Sequence, residues 1–437
     1  MRGRRFDAAY LLYDVLLYLV GLALLPLLLV RVLLRPRRAV AVRERLGLAR
    51  RDPRAAGALL LHGVSVGEVA AMRPLIERIR RRHPELRLAV SSTTPSGRAT
   101  ARRLFPDLPV FTFPLDLPFA CRAFLRRVRP RAVVLMELEI WPNFLRACNR
   151  FRLPVAIVNG RITERSMTGY RRVHRLLPQF DRILVYGVQN ERYAERFRRL
   201  AVPPERIRIT GNLKYDAVPE CRPGREPQEP WRGWCAGRPA LVVGSSHEPE
   251  EVEILRAVAA RPELARALLL IVPRHPERAP RLRRELEAVA DGRPVLLRSE
   301  QANGRPLPAG AVFLVDTFGE LEQVYRCGRV AVVGGSLVPH GGQNVLEPAA
   351  LGLPVLVGPH TENFAEEVEL LAAVGGLRRA SDPSSLVTCA AEWMADPATA
   401  EACGRAGAAA LAARRGAAAS TLRLLEETVL ACSGAEA

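Results

Sequence analysis

Short apolar runs, each followed by an arginine-rich stretch of helical period, recur along this chain and limit its folds more than any other feature. In the first half they are Ala58 to His62, Leu88 to Ser92, Ala132 to Met136, Val155 to Val158, Ile183 to Tyr186 and Ile207 to Gly211. A second series follows at Ala240 to Gly244, Leu268 to Val272, Val295 to Leu297, Val312 to Val315, Val330 to Gly334 and Pro354 to Gly358. Strand-length runs alternating with helical stretches mean βαβ units and a parallel sheet. Between the two series, residues 216–234 hold four prolines and no periodicity, the mark of a linker.

A chain of 437 residues is too long for one compact core. The expected fold class is therefore α/β, with two Rossmann-like doubly wound domains facing a cleft where the carboxyl ends of both sheets gather ligands. The expected divisions are an N-terminal anchor at 1–38, a first domain at 39–218, a linker at 219–234 and a second domain at 235–437. The last includes an alanine-rich helical tail from Leu386 to Cys432, expected to pack across the domains. Of 65 basic residues all but Lys214 are arginine, and the formal net charge is +20, which favours anionic partners. No basic run alternates with aromatic residues as a nucleic-acid groove requires, so nucleic acid is not an expected partner. The eight cysteines include no CxxC pair and read as buried thiols in a reducing compartment.

From Val15 to Val30 there is no charged residue, and arginines flank the stretch at Arg2, Arg4 and Arg5 and at Arg31, Arg35, Arg37 and Arg38. The run passes into Arg31 without a small-residue cleavage site, so it reads as an uncleaved membrane anchor rather than a secretory signal. Its length sits at the lower limit for spanning, so crossing the bilayer and lying in one leaflet both stay open. The denser arginine cluster on the C-terminal side places the folded body in the cytoplasm, with Arg38, Arg43, Arg45, Arg50, Arg51 and Arg54 facing anionic head groups. The plain alternative is a buried hairpin helix of a soluble core.

Several run ends carry polar residues that folding alone does not require. Ser65-Val-Gly-Glu68 follows the first run; its spacing is that of a capping box, and its functional reading is a carboxylate, Glu68, able to take a proton from a substrate hydroxyl. Glu137-Leu-Glu139 follows Met136, and two carboxylates two residues apart on a strand share a face. A metal site there lacks the necessary partners, since there is no Asp-x-Asp and no His-x-x-x-His. Lys214, the lone lysine, suggests a place that suits a compact ammonium, with chance retention of one lysine as the plain alternative. In the second half, Gly244-Ser-Ser-His-Glu-Pro-Glu-Glu251 and Val272-Pro-Arg-His-Pro-Glu-Arg278 follow strands and open helices, where backbone N–H groups and Arg274 could hold an anion. Asp316-Thr-Phe-Gly-Glu-Leu321 follows a further strand. In Val333-Gly-Gly-Ser-Leu-Val-Pro-His-Gly-Gly-Gln-Asn-Val-Leu-Glu347 the glycines let backbone approach a ligand, Asn344 caps, and Glu347 can accept ribose hydroxyls. His247, His275, His340 and His360 each read individually as cap or turn residues.

Taken in order, Ser-Val-Gly-Glu68, Glu137-Leu-Glu-Ile-Trp-Pro-Asn143, Gly-Asn-Leu-Lys214-Tyr-Asp, Pro273-Arg-His-Pro-Glu-Arg, Gly319-Glu-Leu and Gly-Gly-Gln-Asn344-Val-Leu-Glu347 closely resemble the bacterial 3-deoxy-D-manno-octulosonic acid (Kdo) transferases over nearly the whole chain. The resemblance implies the two-domain GT-B fold and work at the cytoplasmic face of the inner membrane. It also implies transfer of Kdo from CMP-Kdo to a lipid A precursor, lipid IVA, in lipopolysaccharide biosynthesis, with inversion, without a metal and without a cofactor. By position, Glu68 corresponds to the general base, and Glu137 and Lys214 to residues supporting the transition state. Pro273, Arg274, Gly319, Glu320, Leu321, Asn344, Val345, Leu346 and Glu347 correspond to the CMP contacts. Pro249 departs from the pattern, which has glycine there; a proline suits a first helical turn, so only the loop's shape is affected.

The chemistry agrees with the assignment. A hydroxyl attacking an anomeric carbon needs a base, and a leaving CMP phosphate needs positive potential, which Lys214, Arg274 and helix N-termini supply. Two rival readings differ in class. A membrane-associated GT-B enzyme using a UDP-sugar would bind UDP better than CMP, and a non-catalytic lipid-binding peripheral protein would be indifferent to loss of Glu68.

Overall fold

The structure is a computed structural model, and it describes residues 9–23, 26, 37–174, 179–218, 226–301 and 305–431. The chain forms two compact units, Met1–Ala217 with Arg415–Ala437, and Val218–Arg414. In the first unit, β1 (Leu59–His62), β2 (Leu88–Ser92), β3 (Val110–Thr112), β4 (Ala132–Met136), β5 (Val155–Gly160), β6 (Val185–Val188) and β7 (Ile207–Ile209) pair in the order β3-β2-β1-β4-β5-β6-β7. The second unit holds β8 (Ala240–Ser246), β9 (Leu268–Pro273), β10 (Val295–Leu297), β11 (Val312–Leu314), β12 (Gly328–Val333), β13 (Val355–Val357) and β14 (Leu377–Arg379), ordered β10-β11-β9-β8-β12-β13-β14. All pairings are parallel. The order reverses between β1 and β4 and again between β8 and β12, and at such switch points the loops leaving adjacent strands diverge and open a crevice.

Central strands of a parallel sheet are covered on both faces, which is why they read as unbroken apolar runs. In the first sheet, Leu60, Val133, Leu135 and Ile157 enter one apolar cluster and Leu59, Leu61, Val134 and Val158 the other. The second sheet divides the same way, with Leu241, Val243 and Ile271 on one side and Val242, Leu270 and Phe313 on the other. Strands β3 and β14 are absent from the sequence reading. Both are three-residue edge strands, and β14 is Leu-Arg-Arg, too short and polar to register as a run. The six cysteines among the described residues are free.

The tail corrects the expected boundary of the second domain. Helices Pro383–Ala395 and Pro397–Ala412 belong to the second unit, but the chain from Arg415 onward joins the first. Helix Ala417–Leu425 packs against helices Arg73–Arg82 and Leu213–Ala217, and Leu422, Leu424, Leu425 and Val429 enter the cluster of Leu59 and Leu61. The second domain therefore ends at Arg414 rather than Ala437, because the apolar stripe of the last helix finds its cover on the first sheet. Gly416, at φ +109°, makes the turn. Asp216 accepts the N–H groups of Gly416 at 2.8 Å and Ala418 at 2.6 Å, and Glu426 meets His83 Nε2 at 2.7 Å.

Residues 9–23 form a helix. Its docking side is polar: Tyr13 donates to Asp116 at 2.9 Å, Asp14 accepts from Asn143 Nδ2 at 2.7 Å, and Tyr10 meets Gln179 at 2.5 Å beneath the guanidinium of Arg146. Asp116 also accepts the backbone N–H groups of Asn143 and Phe144 at the start of helix Pro142–Arg150; burial pushes its carboxyl up to about 6. Leu11, Leu12, Leu16, Leu19 and Leu22 stand exposed. No helix among the described residues is long and apolar enough to cross a membrane. The remainder of the anchor reading, including Arg31, Arg35 and most of residues 24–36, lies outside the described residues, as do the side chains of Arg37 and Arg38 and linker residues 219–225.

Removing an N-terminal capping acceptor costs about 1 kcal/mol. Asp216→Ala is expected to lose on the order of 1–2 kcal/mol and to speed trypsin cleavage after Arg414 and Arg415, because Gly416 and Ala418 both lose their acceptor. Unchanged melting and unchanged cleavage would contradict the docking of the tail by Asp216.

Candidate active site

In the first unit, three carboxylates leave the two strands at the switch point. Glu68 is the third residue of helix Val66–Ala71, and the capping box is formed in full: Ser65 Oγ accepts the Glu68 N–H at 3.2 Å while the carboxylate accepts from Ser65 N at 3.3 Å. It also accepts from Ser65 Oγ at 2.8 Å and, through Oε2, from Val64 N at 2.9 Å. Glu68 is thus folded back on the amide of Ser65. A carboxylate offers about four lone-pair positions. Three are used here, which leaves one on Oε2.

The strand expected to carry both later carboxylates on one face ends too early for that. β4 stops at Met136, and Glu137 adopts φ +56°, the left-handed region, so the chain turns before Glu139. A non-glycine residue held there carries strain of the order of 1 kcal/mol. Arg161 approaches the Glu137 carboxylate at 3.8 Å, and Trp141 Nε1 donates to Glu139 Oε2 at 2.7 Å. Burial first, then the charges of Glu68 and Glu137, pushes the Glu139 carboxyl up to about 7 against the opposing indole hydrogen bond. Lys214 lies on helix Leu213–Ala217, whose start is held by Asn159 Oδ1, an acceptor from Leu213 N at 2.9 Å, and by Asn212 Oδ1, an acceptor from Lys214 N at 3.0 Å. That helix packs against the helix of Glu68.

In the second unit the CMP-contact candidates leave β9, β11 and β12. Arg274 is exposed just beyond Pro273, its N–H bonded to Ser246 O at 2.9 Å. Gly319 takes φ +88°, and Glu320 is clamped by Arg298 through two contacts of 3.0 Å, an arrangement the sequence reading missed because Arg298 lies on another loop. Burial works against that carboxylate's charge, but Arg298 and Thr317 hold it below its ordinary range. Leu321 opens helix Leu321–Cys327. Asn344 Oδ1 accepts the Leu346 N–H at 3.1 Å and its Nδ2 donates to Glu347 Oε1 at 3.0 Å; the helix N-cap is Val345, so Asn344, the expected cap, sits one residue before it and orients Glu347. Burial raises the Glu347 carboxyl, opposed by Asn344 and by the nearby charge of Arg274. The side chains of Val345 and Leu346 are buried. The rings of His247 and His340 lie 4.4 Å apart, with His275 6.1 Å from His247; burial first, then the neighbouring imidazoles and arginines, lowers His247 to about 4.

The loop expected to hold an anion with free amides after β8 is occupied from within. Glu250 and Glu251 are fully buried, and Glu250 accepts the N–H of His247 at 2.8 Å. Pro249 precedes the helix Glu250–Ala259 and has no N–H to give.

Because the Glu139 carboxyl is raised from 4.5 to about 7, the folded protein holds a proton that the unfolded chain has lost in that interval. The resulting stability is complete below pH 4.5 and lost as pH rises through 7. Between pH 5 and pH 8 the wild type is expected to lose about 1–2 kcal/mol more than Glu139→Gln, after allowance for partial exposure, as read by denaturant unfolding. Parallel pH dependences would contradict the raised carboxyl.

Comparison with known proteins places this geometry in a family. Residues 41–217 match the family model described as 3-Deoxy-D-manno-octulosonic-acid transferase (kdotransferase). The chain is 34% identical over 383 residues to the 3-deoxy-D-manno-octulosonic acid transferase of Haemophilus influenzae, covering 84% of this chain and 86% of that protein. It is 35% identical over 384 residues to the transferase of the same name from Bordetella pertussis, with the same coverage of both chains. Among solved structures, the fold is similar to a glycosyltransferase from Rickettsia africae at a TM-score of 0.56 and 10% identity, covering 85% of this chain and 98% of that one. It is likewise similar to the UDP-GlcNAc 2-epimerase of Neisseria meningitidis at a TM-score of 0.55 and 13% identity, covering 84% and 98%. The identity and extent of the sequence matches establish that this chain belongs to the 3-deoxy-D-manno-octulosonic acid transferase family.

Proposed function

We propose that this protein transfers Kdo from CMP-Kdo to a lipid A precursor, lipid IVA, with inversion and without a metal, at the cytoplasmic face of the inner membrane. Family membership carries the reading, and the residue chemistry supports it. In the second unit, Glu347 is oriented by Asn344 to accept ribose hydroxyls, and Arg274 supplies cationic potential for the CMP phosphate. Lys214 and Arg274 take the part in stabilising the leaving phosphate that a divalent ion plays in other transferases. The exposed leucines of helix 9–23 and the arginines from residue 31 to 54 favour contact with an anionic bilayer and a phosphorylated lipid.

Glu68 is the proposed general base. The capping box fixes its carboxylate in one rotamer, and the lone pair left on Oε2 takes the proton as the acceptor oxygen forms its bond to the anomeric carbon of Kdo and the bond from that carbon to the CMP phosphate oxygen breaks. CMP leaves with the electron pair of the broken bond. Glu137, strained and near Arg161, and Lys214 are the proposed supports of the oxocarbenium-like transition state and the departing nucleotide.

Glu68→Ala is expected to abolish transfer, with a loss of at least about 10³-fold in kcat, while CMP-Kdo still binds. Retained turnover would remove Glu68 from the base role. Glu347→Ala is expected to weaken CMP by roughly tenfold or more in calorimetry, and the wild type to bind CMP more tightly than UDP. Unchanged CMP affinity would reject the ribose role, and tighter UDP binding would favour a UDP-sugar donor.

A further inference from the structure

Glu250 has no role in the chemistry above, yet both of its carboxylate oxygens are fully engaged by backbone N–H groups. Its side chain is fully buried at the second switch point. Oε2 accepts from His247 N at 2.8 Å and from Gly335 N at 2.7 Å; Oε1 accepts from Ser336 N at 3.0 Å and from Leu337 N at 2.9 Å. All four partners are donors, so the carboxylate is held as the anion, and without them it would be an uncompensated buried charge. Burial pushes its pKa up, and the four amides oppose that rise.

Three successive amides turned on one anion make the kind of concavity that binds phosphate in many loops after a strand. Here the chain supplies the anion itself. The loop so fixed is the one that bears the donor contacts: Gly342 N bonds Gly335 O at 2.8 Å and Gln343 N bonds Gly334 O at 3.1 Å, immediately before Asn344. Gln343 also lies 3.1 Å from the Nε2 of His247, whose own N–H is held by Glu250. Gly334 packs so closely on the end of β8 that a Cβ there would sit 2.4 Å from Ser246 Cα.

We propose that Glu250 is a positioning residue of the donor site, an internal anion that occupies the amide concavity of residues 335–337 and thereby sets the stance of Gln343, Asn344 and Glu347 toward the nucleotide. The proposal rests on the CMP-donor reading, and it adds that the donor phosphate meets side chains such as Arg274 and not these backbone amides.

Glu250→Gln preserves shape but turns a donor NH₂ toward backbone donors, and Glu250→Asp keeps both oxygens on a side chain one methylene shorter. Calorimetry with CMP on the wild type comes first, and absence of binding there would overturn the donor reading itself. With wild-type binding in hand, the Gln variant is expected to bind CMP at least about tenfold more weakly and the Asp variant to fall between. KM for CMP-Kdo should rise, while kcat at saturating donor and KM for the lipid acceptor stay within about threefold of wild type, a split that general loss of folding does not produce. CMP affinity equal to wild type in the folded variants would overturn the proposal. Hydrogen exchange on the wild type needs no variant: the amides of Gly335, Ser336 and Leu337 should be protected equally with and without CMP. Protection that appears only on adding CMP would show that the nucleotide, not Glu250, takes them.

Discussion

Backbone N–H groups at strand ends and helix starts have no partner within their own element, and in this protein side-chain carboxylates repeatedly provide one. Asp116 takes two such groups at the start of helix Pro142–Arg150, Asp216 two at the final helix, Glu68 two at the first switch point and Glu250 four at the second. A short carboxylate fixed in this way joins segments distant in sequence at little conformational freedom. The parallel sheets define where the loops begin, and these acids define where the loops go.

The same device engages these anions to different degrees. Glu250 spends all its acceptor capacity on the backbone, whereas Glu68 retains one lone pair, and burial, with the charges of Glu68 and Glu137, pushes the Glu139 carboxyl up to about 7. The capping and catalytic readings of Glu68 are therefore compatible in one rotamer. The amide concavity of residues 335–337 that might have held a phosphate is filled by the chain's own carboxylate.

Much of this was legible in sequence where one residue type decides the outcome. Leu88–Ser92, Ala132–Met136 and Val295–Leu297 form strands with the ends read from their runs, because most of their side chains are buried in the sheet and apolar. The Ser65 to Glu68 capping box was legible because both partners lie three residues apart. Edge strands β3, only three residues long, and β14, short and mostly polar, were not. Nor was the left-handed turn at Glu137, which tertiary packing imposes on a residue with no preference for it, nor the grip of Glu250 on Gly335, which spans 85 positions. The tail was read as helix but given to the wrong unit, since an apolar stripe does not name the surface that will cover it.

The most direct test is to incubate the protein with CMP-Kdo and lipid IVA and weigh the lipid product by mass spectrometry. The account predicts a lipid heavier by one or more Kdo residues, with CMP released in equal number. A lipid of unchanged mass, from folded protein with both substrates present, would contradict it.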